Sequence, residues 1–317
     1  MNFPVFDLHC DTANELIGRG GVDPSPLRSN KVHIDLERAK SLGGYAQCFA
    51  CFTTTSKQNN PVDIFEKKLA AILSQVEKNS DIIKIAYGAD DIEENRHNGM
   101  MSAILTIEGT AGFGFDPAIL EDLHKIGFLI SSLGWNEKNP LTGSHVTGGG
   151  LTDQGCEYVK ELQRLGMIVD VSHISDEGFW DIMDITSGPV VATHSNSRSV
   201  WNVSRNVSDD MFRAICNTGG VAGINLYTDF LGNNPSIDTV CDHIFHFLEL
   251  DPEGKHIALG GDLDGCEALP DGFKGVQDYY KISERLLQRG LSDDYVYNIF
   301  WNNAIEVIKR AVCNNKR

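Results

Sequence analysis

The 317-residue chain is poor in positive charge: 27 Lys and Arg stand against 44 Asp and Glu, a formal net charge of −17. Nucleic acid and anionic membrane surfaces both need a basic face, so this balance argues against either as a partner and fits an acidic, solvated surface. Clusters such as Asp90-Asp91-Ile92-Glu93-Glu94 read most simply as solvated helix faces. No stretch approaches the roughly 20 apolar residues needed to span a bilayer. There is no Pro/Ser/Gly linker, internal repeat or low-complexity tract. One domain over residues 1–317 is therefore expected, because barrels of alternating strands and helices run to about 250 residues or more as single units.

Cysteine is present without a framework. The eight residues Cys10, Cys48, Cys51, Cys156, Cys216, Cys241, Cys266 and Cys313 are scattered, several within strand or helix patterns. There Cys behaves as a small buried hydrophobe. Cys48 and Cys51 have CxxC spacing, but they lie in the apolar run YAQCFACF with no second pair nearby, so a core strand is favoured over a redox or zinc motif. Free thiols and a cytoplasmic location are expected. A secretory signal of about 15–30 residues would, on removal, take His9 and Asp11 with it, so a mature N-terminus is expected as well.

Short apolar runs are abundant, and they recur in β/α rhythm. Strands are expected over Pro4–His9, Tyr45–Phe52, Ala103–Glu108, Gly127–Leu133, Met167–His173, Val190–His194, Val221–Leu226 and His256–Asp262. Their near-continuous apolar character is that of strands buried on both faces. Ser175 and Ser208 look like N-caps of intervening helices, Val240, Ile244, Phe247 and Leu248 form a helical stripe, and Val276–Arg289 and Ser292–Val312 read as two closing helices. Eight strands with helices between them describe a TIM-type (β/α)8 barrel.

Polar residues with metal-binding chemistry gather at the strand ends. His9, Asp11, Glu108, His173 and His194 each close an apolar run, and the C-terminal strand ends of such a barrel form its active-site face. His9 and Asp11 are two apart, so on an extended segment they point to one side. His173 and His194, 21 residues apart, sit at equivalent places on successive strands. A lone strand-end His is more often a hydrogen-bonded core residue; two beside an HxD are harder to explain so. Glu108 taken alone reads better as a capping or loop-stabilising carboxylate, yet its two oxygens could also bridge two metals. Asp262, in the turn Gly260-Gly261-Asp262-Leu263-Asp264-Gly265, could handle a proton at the same rim; spacing does not decide between it and Asp264. His145, in a Gly-rich loop after the fourth strand, could also reach the mouth, although a structural place is favoured. His33, His97, His124, His243, His246 and His256 read as surface or structural groups.

The motifs FDLHCDT, TIEG, VDVSH, THSNSR, SRNVSDD and GGDLDG resemble, in order and spacing and over essentially the whole chain, those of the membrane (renal) dipeptidases, peptidase family M19, with its bacterial members. The resemblance implies an amidohydrolase-like barrel with two zinc ions and a metal-bridging hydroxide that attacks the peptide bond of a dipeptide; whether C-terminal D-residues are included is left open. It implies that His9 and Asp11 bind one zinc, His173 and His194 the other, and that Glu108 bridges them. Asp262 would then be the proton-handling acid, and Arg205 the residue holding the substrate carboxylate, a task suited to a guanidinium fork. The mammalian members carry a substrate-contacting His in a Thr-His motif after the fourth strand. Here the segment is Ser132-Leu133-Gly134-Trp135-Asn136, with Trp135 nearest that place. Two other readings therefore stay open: a metal hydrolase of another small amide or ester, and a non-catalytic binder of metal or small acidic ligands. A homodimer is left open too. The mammalian lipid anchor is absent from the motifs, so no membrane is expected as a partner.

Overall fold

The computed structural model describes residues 2–18 and 24–314. The expected apolar runs form β1 (Val5–Cys10), β2 (Tyr45–Phe52), β3 (Met101–Glu108), β4 (Phe128–Ser132), β5 (Ile168–Asp170), β6 (Val190–Val191), β7 (Ala222–Ile224) and β8 (Ile257–Leu259). They pair in parallel in the order β7-β8-β1-β2-β3-β4-β5-β6. The two ends of this row meet at a bridge between Ala192 and Ala222, where the Ala192 N–H donates to the Val221 carbonyl (3.0 Å) and the Gly223 N–H to the Ala192 carbonyl (2.8 Å). Helices lie between the strands, and the result is the expected TIM-type barrel.

Strand alternation splits the buried residues into two groups. Phe6, Leu8, Ala46, Cys48, Ile104, Ile130, Ile168, Val191 and Ala258 cluster with Trp301, Ala304, Ile305 and Ile308 of the C-terminal segment. This group fills the barrel interior from its lower end, with Trp301 against Phe6 at 5.8 Å between ring centroids. Residues of opposite parity, such as Tyr45, Phe49, Cys51 and Leu105, pack against the surrounding helices. Cys48 and Cys51 fall in different groups, and both are buried and free. Their CxxC spacing is thus a property of core packing, as expected. Ser175 accepts from the Gly178 N–H and Ser208 from the Met211 N–H, opening helices Asp176–Ile185 and Asp209–Asn217.

Several boundaries differ from the sequence expectation. Two short features were not foreseen: a strand Ile83–Ile85 alongside β3, and a hairpin of Thr142–Ser144 with Gly148–Leu151 in the loop after β4. The closing segments are also less regular. Val276–Asp278 is a 3-10 turn before helix Tyr279–Gln288, and a π-turn over Asn298–Asn302 separates helix Asp293–Tyr297 from helix Asn303–Asn314. The strands β5, β6, β7 and β8 stop earlier than their apolar runs suggest. Beyond Asp170 and Val191, the N–H groups of Ser172 and Thr193 turn from the ladder to the Asp170 carboxylate (2.9 Å each). His173 then adopts φ 71° and, after β8, Asp262 adopts φ 56°. A non-glycine residue in this left-handed region costs about 1–2 kcal/mol, so the surrounding bonds must hold it there.

Beside the closing bridge, the end of β8 approaches the segment after β6 closely, backbone to backbone. A Cβ added at Gly260 would lie 1.7 Å from the Thr193 carbonyl oxygen and 3.2 Å from the His194 Cα. Neither neighbour is a flexible side-chain end. Gly260→Ala is therefore expected to destabilise the protein by about 3 kcal/mol or more, the upper end of overpacking costs, read as a lowered Tm in thermal unfolding. An unchanged Tm would show that the backbone around Thr193 can give way.

Candidate metal centre

The barrel mouth gathers every metal-ligand candidate named from the sequence. His9 lies in β1, Glu108 ends β3, and His173, His194 and Asp262 lie just beyond β5, β6 and β8. All are buried. Asp11 reaches the same place by a route different from the expected extended segment. The β1–β2 register shifts between Asp7 and Cys10, and Asp11 sits at φ −102°, ψ 19° at the start of the short helix Thr12–Leu16. One Glu108 oxygen, Oε2, is 3.4 Å from His9 Nε2; the other, Oε1, is 3.0 Å from His173 Nε2 and 3.9 Å from His194 Nε2. Asp262 Oδ1 is 3.8 Å from His9 Nε2. The His9 and His194 rings stack at 3.7 Å, and His173 Nε2 lies 3.0 Å from His194 Nε2.

The protonation pattern follows from burial and mutual charge. Burial alone would lower the His9 pKa, but Glu108, Asp262 and Asp11 raise it to about 10. Burial pushes the Asp262 carboxyl up to about 6 against the pull of His9 and Arg205, and it raises Asp11 as well. Glu108 is held well below the carboxylate range in spite of burial, by His9 and His173. Burial and the Arg205 charge bring His173 down to about 3, and burial with the His9 charge brings His194 well below its ordinary value. Both are therefore neutral near pH 7. The outer nitrogen of His173, Nδ1, is 2.8 Å from Asn136 Oδ1, and that of His194 is 2.7 Å from Thr193 Oγ1.

These donors suit a cation. Two sets, His9/Glu108/His194 and His9/Asp11/Asp262, each place their ligand atoms within 4.8 Å of one another. His9 Nε2 and Glu108 Oε2 are buried 3.4 Å apart, and neither makes a hydrogen bond, an arrangement that an ion beside them would complete. Imidazole nitrogen and carboxylate oxygen are the ligand types of zinc and similar divalent ions.

Above the cluster lies a cavity of about 210 Å³ lined by Asp11, Glu108, His173 and Asp262 together with Phe52, Lys57, Trp135, Tyr227, Phe230 and Glu267. A larger cavity, about 640 Å³, opens at the opposite rim beside Gly43, Tyr45 and Met101. Its charged residues Lys40, Asp81 and Arg96 pair with Glu37, Arg28 and Glu93, so it offers no comparable chemistry. The family model of the membrane dipeptidases, peptidase family M19, matches residues 1–317 of the chain.

The chain belongs to the membrane dipeptidase family.

Membership makes it a hydrolase of the metallo-dipeptidase class. An uncharacterized dipeptidase of Schizosaccharomyces pombe is 34% identical over 216 residues, 66% of this chain and 53% of that relative, so the chain spans about half the length of that relative. A Klebsiella pneumoniae protein named only as uncharacterized is 30% identical over 272 residues, 81% of this chain and 99% of that relative. Among solved structures, a metallo peptidase from Rhodobacter sphaeroides liganded with a phosphinate mimic of the dipeptide L-Ala-D-Ala superposes with TM-score 0.86 at 22% identity, covering 98% of this chain and 100% of the other. The probable dipeptidase PvdM from Pseudomonas aeruginosa superposes with TM-score 0.90 at 16% identity, covering 98% and 96%. At those identities the two superpositions establish the barrel fold and nothing finer. Among the described residues no helix is long and apolar enough to cross a membrane, whatever the family's name.

Of the two carboxylates in the motif after β8, Asp262 faces the cluster. Asp264 faces away, accepting from Thr12 Oγ1 and the His33 N–H, both at 2.6 Å. Arg205 is buried; its Nη1 donates to Ser195 Oγ (2.6 Å), while Nε and Nη2 have no partner. Trp135 lies between Phe52, ring centroids 5.2 Å apart, and Lys57, whose ammonium is 4.3 Å from the indole centre. His145 reaches the site indirectly: its Nε2 is 2.8 Å from the Asn136 Oδ1 that also meets His173.

Sequence reasoning passed over the residues that hold the ligands. Asn136 supports His173, and Asn225 Nδ2 donates to Asp262 Oδ2 (3.1 Å) and to the His194 carbonyl (3.2 Å). Asp7 accepts from the N–H groups of His9 (3.0 Å) and Gly261 (2.9 Å) and from the Tyr279 hydroxyl. Charge inside an apolar run was the available signal: FDLHCD and VDVSH each carry an Asp within a strand that the barrel buries.

A ligand imidazole must be neutral to bind a metal. With its pKa at about 10, His9 is protonated at pH 8 in the metal-free protein. Loading with zinc at pH 8 is therefore expected to release about one proton from this site, and affinity should weaken as pH falls. Calorimetric titration in two buffers of different ionisation enthalpy measures that proton, and identical heats in both would contradict it.

Proposed function

We propose that this protein hydrolyses dipeptides at a centre of two zinc ions, with His9 and Asp11 on one ion, His173 and His194 on the other, and Glu108 across both. The observation that carries the reading is the Glu108 carboxylate, whose two oxygens face different partners, His9 on one side and His173 and His194 on the other. Zinc bound there would supply a Lewis acid for the scissile carbonyl and water acidified toward neutrality. Residues 1–317 act as one catalytic unit in this reading, and the free buried thiols favour the cytoplasm as its compartment.

The protein's own groups provide the rest. Asp262, raised by burial to about 6, exchanges a proton near neutral pH and is held toward the cluster by Asn225. It takes the proton of the attacking water and delivers it to the departing amine. Arg205 has two unpaired nitrogens in a buried setting, which makes a carboxylate its natural complement. A dipeptide carries that carboxylate, and the Rhodobacter sphaeroides metallo peptidase of the same fold is bound to a dipeptide mimic. Trp135 and Phe52 give the cavity an apolar wall, favouring apolar side chains. Trp135 offers one indole N–H and no acceptor. It thereby supports a second reading, hydrolysis of another small amide or ester at the same centre.

Two variants test the assignment. Asp262→Asn is expected to lower kcat by about 10²–10⁴-fold, the usual share of general acid–base catalysis, with zinc content by elemental analysis near wild type. If Asp264→Asn abolishes turnover while Asp262→Asn spares it, the proton carrier has been misassigned. Arg205→Ala is expected to cut kcat/KM for dipeptides by roughly ten- to a hundredfold, the loss of one charge-assisted contact. Equal turnover of free-acid and C-terminally amidated dipeptides by the wild type would defeat the carboxylate clamp and favour the second reading.

A further inference from the structure

His194 touches the candidate centre through Nε2, so its proton must reside on Nδ1 for the ring to bind a metal. Nδ1 lies 2.7 Å from Thr193 Oγ1. A hydroxyl can donate or accept, and this pair alone does not fix the direction. The next bond does. Thr193 Oγ1 is 2.6 Å from Asp170 Oδ2, and the other oxygen of that carboxylate accepts the N–H groups of Ser172 and Thr193, each at 2.9 Å. A carboxylate only accepts, so the single Thr193 hydroxyl proton goes to Asp170. The Thr193 oxygen is left as an acceptor toward His194, which must then carry its proton on Nδ1.

We propose that Asp170 and Thr193 form a buried relay that fixes the tautomer of His194, turning its Nε2 lone pair into the barrel mouth. Both are positioning residues. The proposal rests on the reading of His194 as a metal ligand, but it concerns only this chain's own hydrogen-bond directions. Ser172 agrees with it: its hydroxyl accepts the His194 N–H (3.2 Å), which frees its own proton for Thr193 Oγ1 at 3.3 Å. Unlike an amide, a carboxylate has no alternative orientation that would exchange donor and acceptor.

The relay makes a directional prediction for Asp170→Asn. The amide oxygen can keep both backbone N–H bonds, but the amide nitrogen then faces Thr193 Oγ1 and donates to it. The Thr193 proton turns to His194 Nδ1, and the ring proton moves to Nε2, where it blocks the metal. Thr193→Val removes the hydroxyl and leaves Nδ1 without its partner. Thr193→Ser keeps the hydroxyl and should restore wild-type behaviour.

Two measurements on the purified protein decide this. The first is ¹⁵N NMR of histidine-labelled metal-free protein, with His194→Ala to assign the ring. The wild type and Thr193→Ser should show His194 protonated at Nδ1, and Asp170→Asn should show it at Nε2. The second is zinc affinity by competition with a chromogenic chelator. Asp170→Asn and Thr193→Val should bind zinc about 10- to 100-fold more weakly than wild type, the usual cost of losing a ligand's outer partner, while Thr193→Ser matches wild type. A wild-type His194 protonated at Nε2 overturns the relay, as does zinc affinity unchanged in both weakening variants. The wild-type spectrum decides the tautomer even if a variant fails to fold. His194→Ala separates the relay from the reading beneath it. If that variant binds zinc as tightly as wild type, the ligand assignment itself falls; if it binds weakly while Asp170→Asn and Thr193→Val do not, only the relay falls.

Discussion

Acceptors that face one another in a dry cavity repel, and the mouth of this barrel is built around that repulsion. Two neutral imidazoles present Nε2 atoms 3.0 Å apart, with a Glu108 oxygen 3.0 Å from one of them. Nothing within the cluster satisfies all of these lone pairs. In the metal-free protein a proton on His9 supplies part of the missing positive charge. The rest of the structure exists to hold the acceptors against their mutual field, and it does so from outside. Asn136, Thr193, Asn225 and Asp7 each bond the far side or the backbone of a residue in the cluster. This support is why His173 and Asp262 can occupy left-handed backbone conformations that their side chains disfavour.

Two buried carboxylates repeat one device at different places on the ring. Asp7 ties the His9 N–H to that of Gly261, joining β1 to the turn after β8; Asp170 ties the Ser172 N–H to that of Thr193, joining the segments after β5 and β6. In each case one oxygen accepts from its own chain two residues on and from the neighbouring segment. Bonds to charged acceptors are roughly twice as strong as neutral ones. The ladder can therefore end at the rim without leaving N–H groups unpaired, and the chain is free to turn ligands inward.

The fold and the inner ring of the site were legible because each has a pattern in sequence. Buried parallel strands read as apolar runs, and a polar residue at the end of such a run has few places to go but the rim. The seam between β6 and β7 was not visible, since a bridge between Ala192 and Ala222 has no signature beyond small residues. The supporting shell was missed for a different reason. Asn136 and Asn225 are loop residues whose meaning is set by what lies across the barrel, 37 residues away in sequence for both Asn136–His173 and Asn225–Asp262. Asp11 shows how a right answer can rest on an inexact reason: it joins His9 through a turn, where alternation along a straight strand had suggested the pairing.

The seam has a further meaning once its neighbours are considered. The residues that close the ring, Ala192 and Gly223, lie within two positions of His194 and of Asn225, whose amide grips the His194 carbonyl. The barrel thus carries one of its cation-facing side chains on the edge where the ring closes. An ion held between His194 and Glu108 of β3 would act as a rivet across a hoop, binding the closing edge to the far wall. Occupancy and closure would then be linked equilibria, each strengthening the other by mass action, and the metal would serve the architecture as well as the chemistry.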